Sequence, residues 1–64
     1  MTVKELKKGD FFCKIDTDNP SERQVWVRGE YDRSARRYEC YKWADVNHTQ
    51  YLRGDRVVFC DFVF

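Results

Sequence analysis

The chain has 64 residues, with 12 Lys and Arg against 11 Asp and Glu and a formal net charge of +1. That length makes one domain, able to bury only about 60% of the surface its unfolded chain exposes, and the near balance of charge argues against strong nonspecific coating of polyanions. No apolar run approaches the ~20 residues of a membrane helix, and Met1-Thr2-Val3-Lys4-Glu5 leads into no apolar h-region, so a cytoplasmic protein without membrane contact is expected.

In chain order, Val3 and Leu6 lie three apart, and residues 2–7 predict a single helical turn, too short to stand alone. Lys8-Gly9-Asp10 marks a tight turn, glycine supplying positive φ and aspartate accepting from nearby backbone N–H groups. Phe11-Phe12-Cys13-Lys14-Ile15 then predicts a first strand, with its register open because Phe11 and Phe12 are equal core candidates. A polar loop over 16–22 holds the only proline. Gln24-Val25-Trp26-Val27-Arg28 predicts a second strand, with Val25 and Val27 inward and Trp26 and Arg28 outward.

Residues 31–37 are polar, with Asp32 and Ser34 suited to a turn. From Tyr38 to Trp43 the chain again alternates, which turns Cys40 inward and Tyr41 and Trp43 outward. Residues 45–50 predict another short helical turn. Arg53-Gly54-Asp55 then turns into the run 57–64, which begins at Val57 and reads as a last strand with Val58, Cys60, Phe62 and Phe64 on one apolar face. Gly-Asp precedes both this run and the first strand, as two similar strand entries. Four or five short strands with turn signals between them predict an all-β fold, a small barrel or sandwich.

Candidate chemistry is sparse. Cys13, Cys40 and Cys60 are odd in number and widely spaced, so they form no closed disulfide framework. With His48 as the only histidine and no Cys-x-x-Cys clip, they read as small buried hydrophobes rather than zinc ligands. A thiol with His48 and Asp45 could be drawn as a nucleophile with its base, but no local motif supports it. The expectation is a protein that is not an enzyme and carries no cofactor or metal. Asn47-His48-Thr49 and Arg53-Gly54-Asp55 match a glycosylation acceptor and an adhesion tripeptide, and both read more simply as turns.

The best candidate is the segment "RGEYDRSARRYECYKW". Arg23, Arg28, Arg33, Arg36 and Arg37 stand against Glu30 and Asp32, so this hairpin holds more positive charge than the whole chain nets. Guanidinium groups beside the flat rings of Trp26, Tyr41 and Trp43 would make a stacking platform with phosphate contacts, the arrangement single-strand nucleic-acid binders use. The same residue types favour protein interfaces, or could simply decorate a sheet through pairs such as Arg28 with Glu39. The ligand-binding expectation is therefore Trp26, Arg28, Arg33, Arg36, Arg37, Tyr41 and Trp43, with single-stranded nucleic acid as partner. A protein-interaction module using the same face is the alternative, or a homodimer through the two-sided apolar run 57–64.

The stretches "VKELKKGDFF", "QVWVRGEYDRSARRYECYKW" and "RGDRVVFCDF" together resemble a group of short bacterial proteins seen often among mobile-element cargo genes. That resemblance covers nearly the whole chain. It implies a compact domain similar to SH3-like barrels, with at most one helical turn, and brings no established activity with it.

Overall fold

A computed structural model describes all 64 residues. The chain is all-β, a single antiparallel sheet of four strands in the order β1-β2-β3-β4: β1 Phe11–Phe12, β2 Trp26–Asp32, β3 Arg37–Lys42 and β4 Thr49–Leu52. Two 3-10 turns, Val3–Glu5 and Glu22–Gln24, are the only helical elements. None is long or apolar enough to cross a membrane. The first matches the expected N-terminal turn, and the Glu5 carboxylate caps it by accepting from Thr2 N at 2.9 Å and Thr2 Oγ1 at 2.7 Å.

The barrel does not close, because β1 and β4 remain the two sheet edges. The expected last strand over 57–64 is not a strand. It makes isolated bridges at Val57 with Thr2 and at Phe59 with Cys13, and beyond Phe59 it runs irregularly. Its apolar residues divide accordingly: Val58 is buried, Cys60 and Phe62 are half-buried, and Val57, Val63 and Phe64 are exposed. The helical turn expected over 45–50 is replaced by a polar turn, closed by His48 N donating to the Asp45 carbonyl at 3.0 Å, followed by β4.

Register corrects the second strand as well. Phe12 pairs with Trp26, Trp26 with Lys42, and Arg28 with Cys40, so these residues share one face. That face carries the core of Val3, Leu6, Phe12, Trp26, Cys40, Leu52 and Val58, with Tyr38 and Cys60 packed against it. Trp26, expected outward, is 5% exposed. Val25 and Val27 are buried too, on the opposite face, where Phe11 and Tyr41 flank Val27. The open question at the first strand resolves to Phe12 inward, with Phe11 and Ile15 exposed. Both faces of β2 are covered here, so the indole enters the core cluster without turning the valines out to solvent.

Two glycines answer to geometry. Gly9 has φ +93, and beside it Asp10 Oδ2 accepts from Lys7 N at 2.8 Å, the expected tight turn before β1. At Gly29 a Cβ would stand 2.5 Å from the Glu39 carbonyl oxygen, next to a register shift between Arg28 and Tyr31. A bare α-carbon is what lets β2 approach β3 through this bulge.

Candidate nucleic-acid interface

The β2–β3 hairpin forms as its turn residues require. Asp32 Oδ1 accepts from Ser34 N at 2.9 Å and Ala35 N at 3.2 Å, and Arg36 takes a left-handed conformation at φ 55. Arg33, Arg36 and Arg37 are exposed at this tip, as expected. The expected rings are not beside them. Trp26 lies in the core, Tyr41 is half-buried, and Trp43 is six residues along β3 from Arg37, roughly 20 Å away in extended chain. Trp43 meets the ring of Phe64 at 5.0 Å, and Phe64 meets Phe11 at 5.7 Å, both edge-on. These three rings form a separate cluster at the far end of the sheet.

Arg28 also leaves the expected set. Its guanidinium lies 4.3 Å over the Tyr38 ring, and its Nε is buried with no hydrogen-bond partner. The anticipated Arg28–Glu39 pair does not form, because Arg28 pairs with Cys40 in register and Glu39 faces Tyr51 on the other side.

What the structure brings together instead is a cleft of ≈ 410 Å³ at the hairpin-tip end, lined by Arg37, Tyr51, Leu52, Arg53, Asp55, Arg56 and Val57. β3 delivers Arg37, β4 delivers Tyr51 and Leu52, and the Arg53–Asp55 turn, closed by Arg56 N donating to the Arg53 carbonyl at 3.1 Å, delivers the rest. Of the three guanidinium groups only Arg53 is ion-paired, to Asp55 at 3.4 Å, with both side chains about two-thirds exposed (68%/66%). Such a pair contributes ~0–1 kcal/mol and is readily exchanged for another anion. Tyr51, 47% exposed, offers a ring to the same cleft. A smaller cleft of ≈ 270 Å³, lined by Met1, Asp16, Val58, Phe59, Cys60 and Asp61, carries two carboxylates and no cationic side chain. The two clefts therefore differ in sign.

Sequence reasoning missed Tyr51, Arg53 and Arg56. The available signal was the density of arginine on both sides of Gly54, which the turn reading absorbed.

The thiols do not assemble with His48. Cys40 Sγ donates to the Tyr38 carbonyl at 3.7 Å and Cys60 Sγ contacts Met1 Sδ at 3.6 Å, while His48 sits edge-on to Trp26 at 5.7 Å. Asp45 is occupied in its own turn, accepting from Asn47 N at 3.1 Å. Compared with known proteins, the chain matches no family model, no curated protein and no solved structure.

Proposed function

We propose that the protein is a small, non-catalytic cytoplasmic module that holds single-stranded nucleic acid in the cleft of Arg37, Tyr51, Arg53 and Arg56. One observation carries this reading: three guanidinium groups, only one of them paired, surround an exposed aromatic ring in one cleft. Guanidinium forks match phosphate oxygens and stay charged at every working pH, while a ring accepts any base by stacking. Arg33 and Arg36 at the neighbouring tip extend the phosphate contacts.

Arg37→Gln, Arg53→Gln and Arg56→Gln should each weaken oligonucleotide binding about equally for all sequences and lower the salt slope by roughly 0.7 per lost contact. Tyr51→Ala should cost about 1–3 kcal/mol with the salt slope unchanged. Full affinity in the triple arginine variant would overturn the assignment.

A second reading rests on the Phe11–Phe64–Trp43 cluster, three touching rings each more than 40% exposed. Exposed aromatics in contact are what a protein partner's hot spot requires. Under that reading Trp43→Ala abolishes partner binding and oligonucleotides leave the protein unaffected.

A further inference from the structure

A second group of cations lies on the core side of the sheet, around Trp26. Lys14 Nζ stands 4.0 Å from the centre of the Trp26 ring, and Lys42 Nζ stands 5.7 Å from the same ring. The polar partner of the Lys14 ammonium is a neutral oxygen, Gln50 Oε1. Neither of the two ion pairs in the molecule involves these groups, since they join Lys8 to Glu30 and Arg53 to Asp55. Burial, and the like charges of Arg56 and Lys42, hold the Lys14 ammonium below the ordinary lysine range. Two ammonium groups thus crowd one indole with no carboxylate to neutralise them.

Lys14 reaches β4 at Gln50, the residue before Tyr51 of the arginine cleft, and Arg56 of that cleft is among the like charges that lower the Lys14 ammonium. We infer that Lys14 and Lys42 form a second phosphate subsite, reached from the arginine cleft around the β4 edge by way of Arg56, and that the ligand is a single strand several nucleotides long. The inference rests on the reading of the arginine cleft as a nucleic-acid site and adds the length and path of the strand. Lys42 and Arg37 of the cleft stand at the two ends of β3, five residues apart, about 17 Å of extended chain. That distance takes about five nucleotides at the ~3.4 Å spacing of a stacked strand. Trp26 itself is too buried to stack a base, so this end contributes charge alone.

The test is a titration of fluorescein-labelled oligothymidylates of about two to eight nucleotides with the protein, read by fluorescence anisotropy. Affinity should rise about tenfold or more from the shortest oligomer to about four to six nucleotides and then level off. In the Lys14→Gln, Lys42→Gln protein the dinucleotide should bind as before, the length-dependent gain should vanish, and the salt slope should fall by roughly 1.4. The Lys14→Arg, Lys42→Arg protein should restore the gain, which separates charge from any loss of folding. An unchanged length profile in the glutamine variant would overturn the subsite and leave the arginine cleft standing. Absence of binding at every length would overturn the cleft reading and this inference with it. Inorganic tripolyphosphate binding as tightly as the longest oligomer would overturn the strand assignment in favour of a small anion.

Discussion

Trp26 shows how far a single side chain decides the register. It was legible in the sequence as a strand residue, but the pairing of Val25 with Val27 made the opposite face look cleaner. Its burial with Phe12 and Cys40 means Trp26→Ala should cost about 3–5 kcal/mol, measured as a urea midpoint. Retention of the wild-type midpoint would place the indole outside the core. Arg28 behaves differently, because its buried Nε lacks a partner and no carboxylate pairs with it. Arg28→Met keeps the apolar stem against Tyr38 while removing an unsatisfied donor, so its stability should be within about 1 kcal/mol of wild type or higher. Asp55 is the one carboxylate lining the arginine cleft. Asp55→Asn frees Arg53 and should tighten oligonucleotide binding a few-fold, by roughly the ~0–1 kcal/mol of the exposed pair it removes.

The thiols give a pH prediction. Burial pushes the Cys13, Cys40 and Cys60 thiols above the ordinary value of 9.0. The unfolded chain therefore binds fewer protons than the folded one above that pH, so stability is intact below about pH 9 and falls as pH rises through it. Lys14, held below its usual range, works in the opposite direction at higher pH, one group against the three thiols and the Lys8 ammonium, which its bond to Glu30 raises. Denaturant midpoints at about pH 8 and pH 10 should show the net loss. Cys13 and Cys40, both fully buried, should resist thiol labelling until the protein unfolds. Cys60, half-buried beside an exposed Met1, should label first, which corrects the expectation that all three are equally enclosed.

At the level of elements, the β2–β3 hairpin was the most legible part, since its turn chemistry and alternation agree. Its bulge was not, because a close backbone approach leaves no trace beyond a glycine. Gly29→Ala drives a Cβ toward the Glu39 carbonyl and should cost about 1–3 kcal/mol, with the largest amide shifts along β3. β4 escaped notice because Thr49, Gln50 and Tyr51 are exposed and only Leu52 enters the core, so an edge strand has almost no apolar alternation to read. The run 57–64 misled for the opposite reason. Its apolar residues serve two surfaces, Val58 in the core and Phe64 against Phe11 and Trp43, without a ladder to hold them. Phe62 is half-buried and outside the core cluster, so Phe62→Ala should cost about 1–2 kcal/mol, less than Trp26→Ala.

For the molecule as a whole, stability and binding should respond to salt in different ways. The two ion pairs are exposed, and the core is apolar with no buried polar or charged residue, so added salt should barely move the melting temperature. Binding through unpaired arginines should weaken steeply over the same range. The sequence carried the charge asymmetry that motivates this contrast, but it assigned the cations to one hairpin. Folding instead gathers Arg37 from β3 and Arg53 and Arg56 from the turn after β4 around Tyr51 of β4, a grouping set by strand order that no local stretch displays. The most direct test is an NMR titration of the isotope-labelled protein with a short single-stranded oligonucleotide at low salt. The account predicts shifts centred on Arg37, Tyr51, Arg53 and Arg56 that fade as salt is raised. Shifts confined to Phe11, Trp43 and Phe64, or none at all, would contradict it.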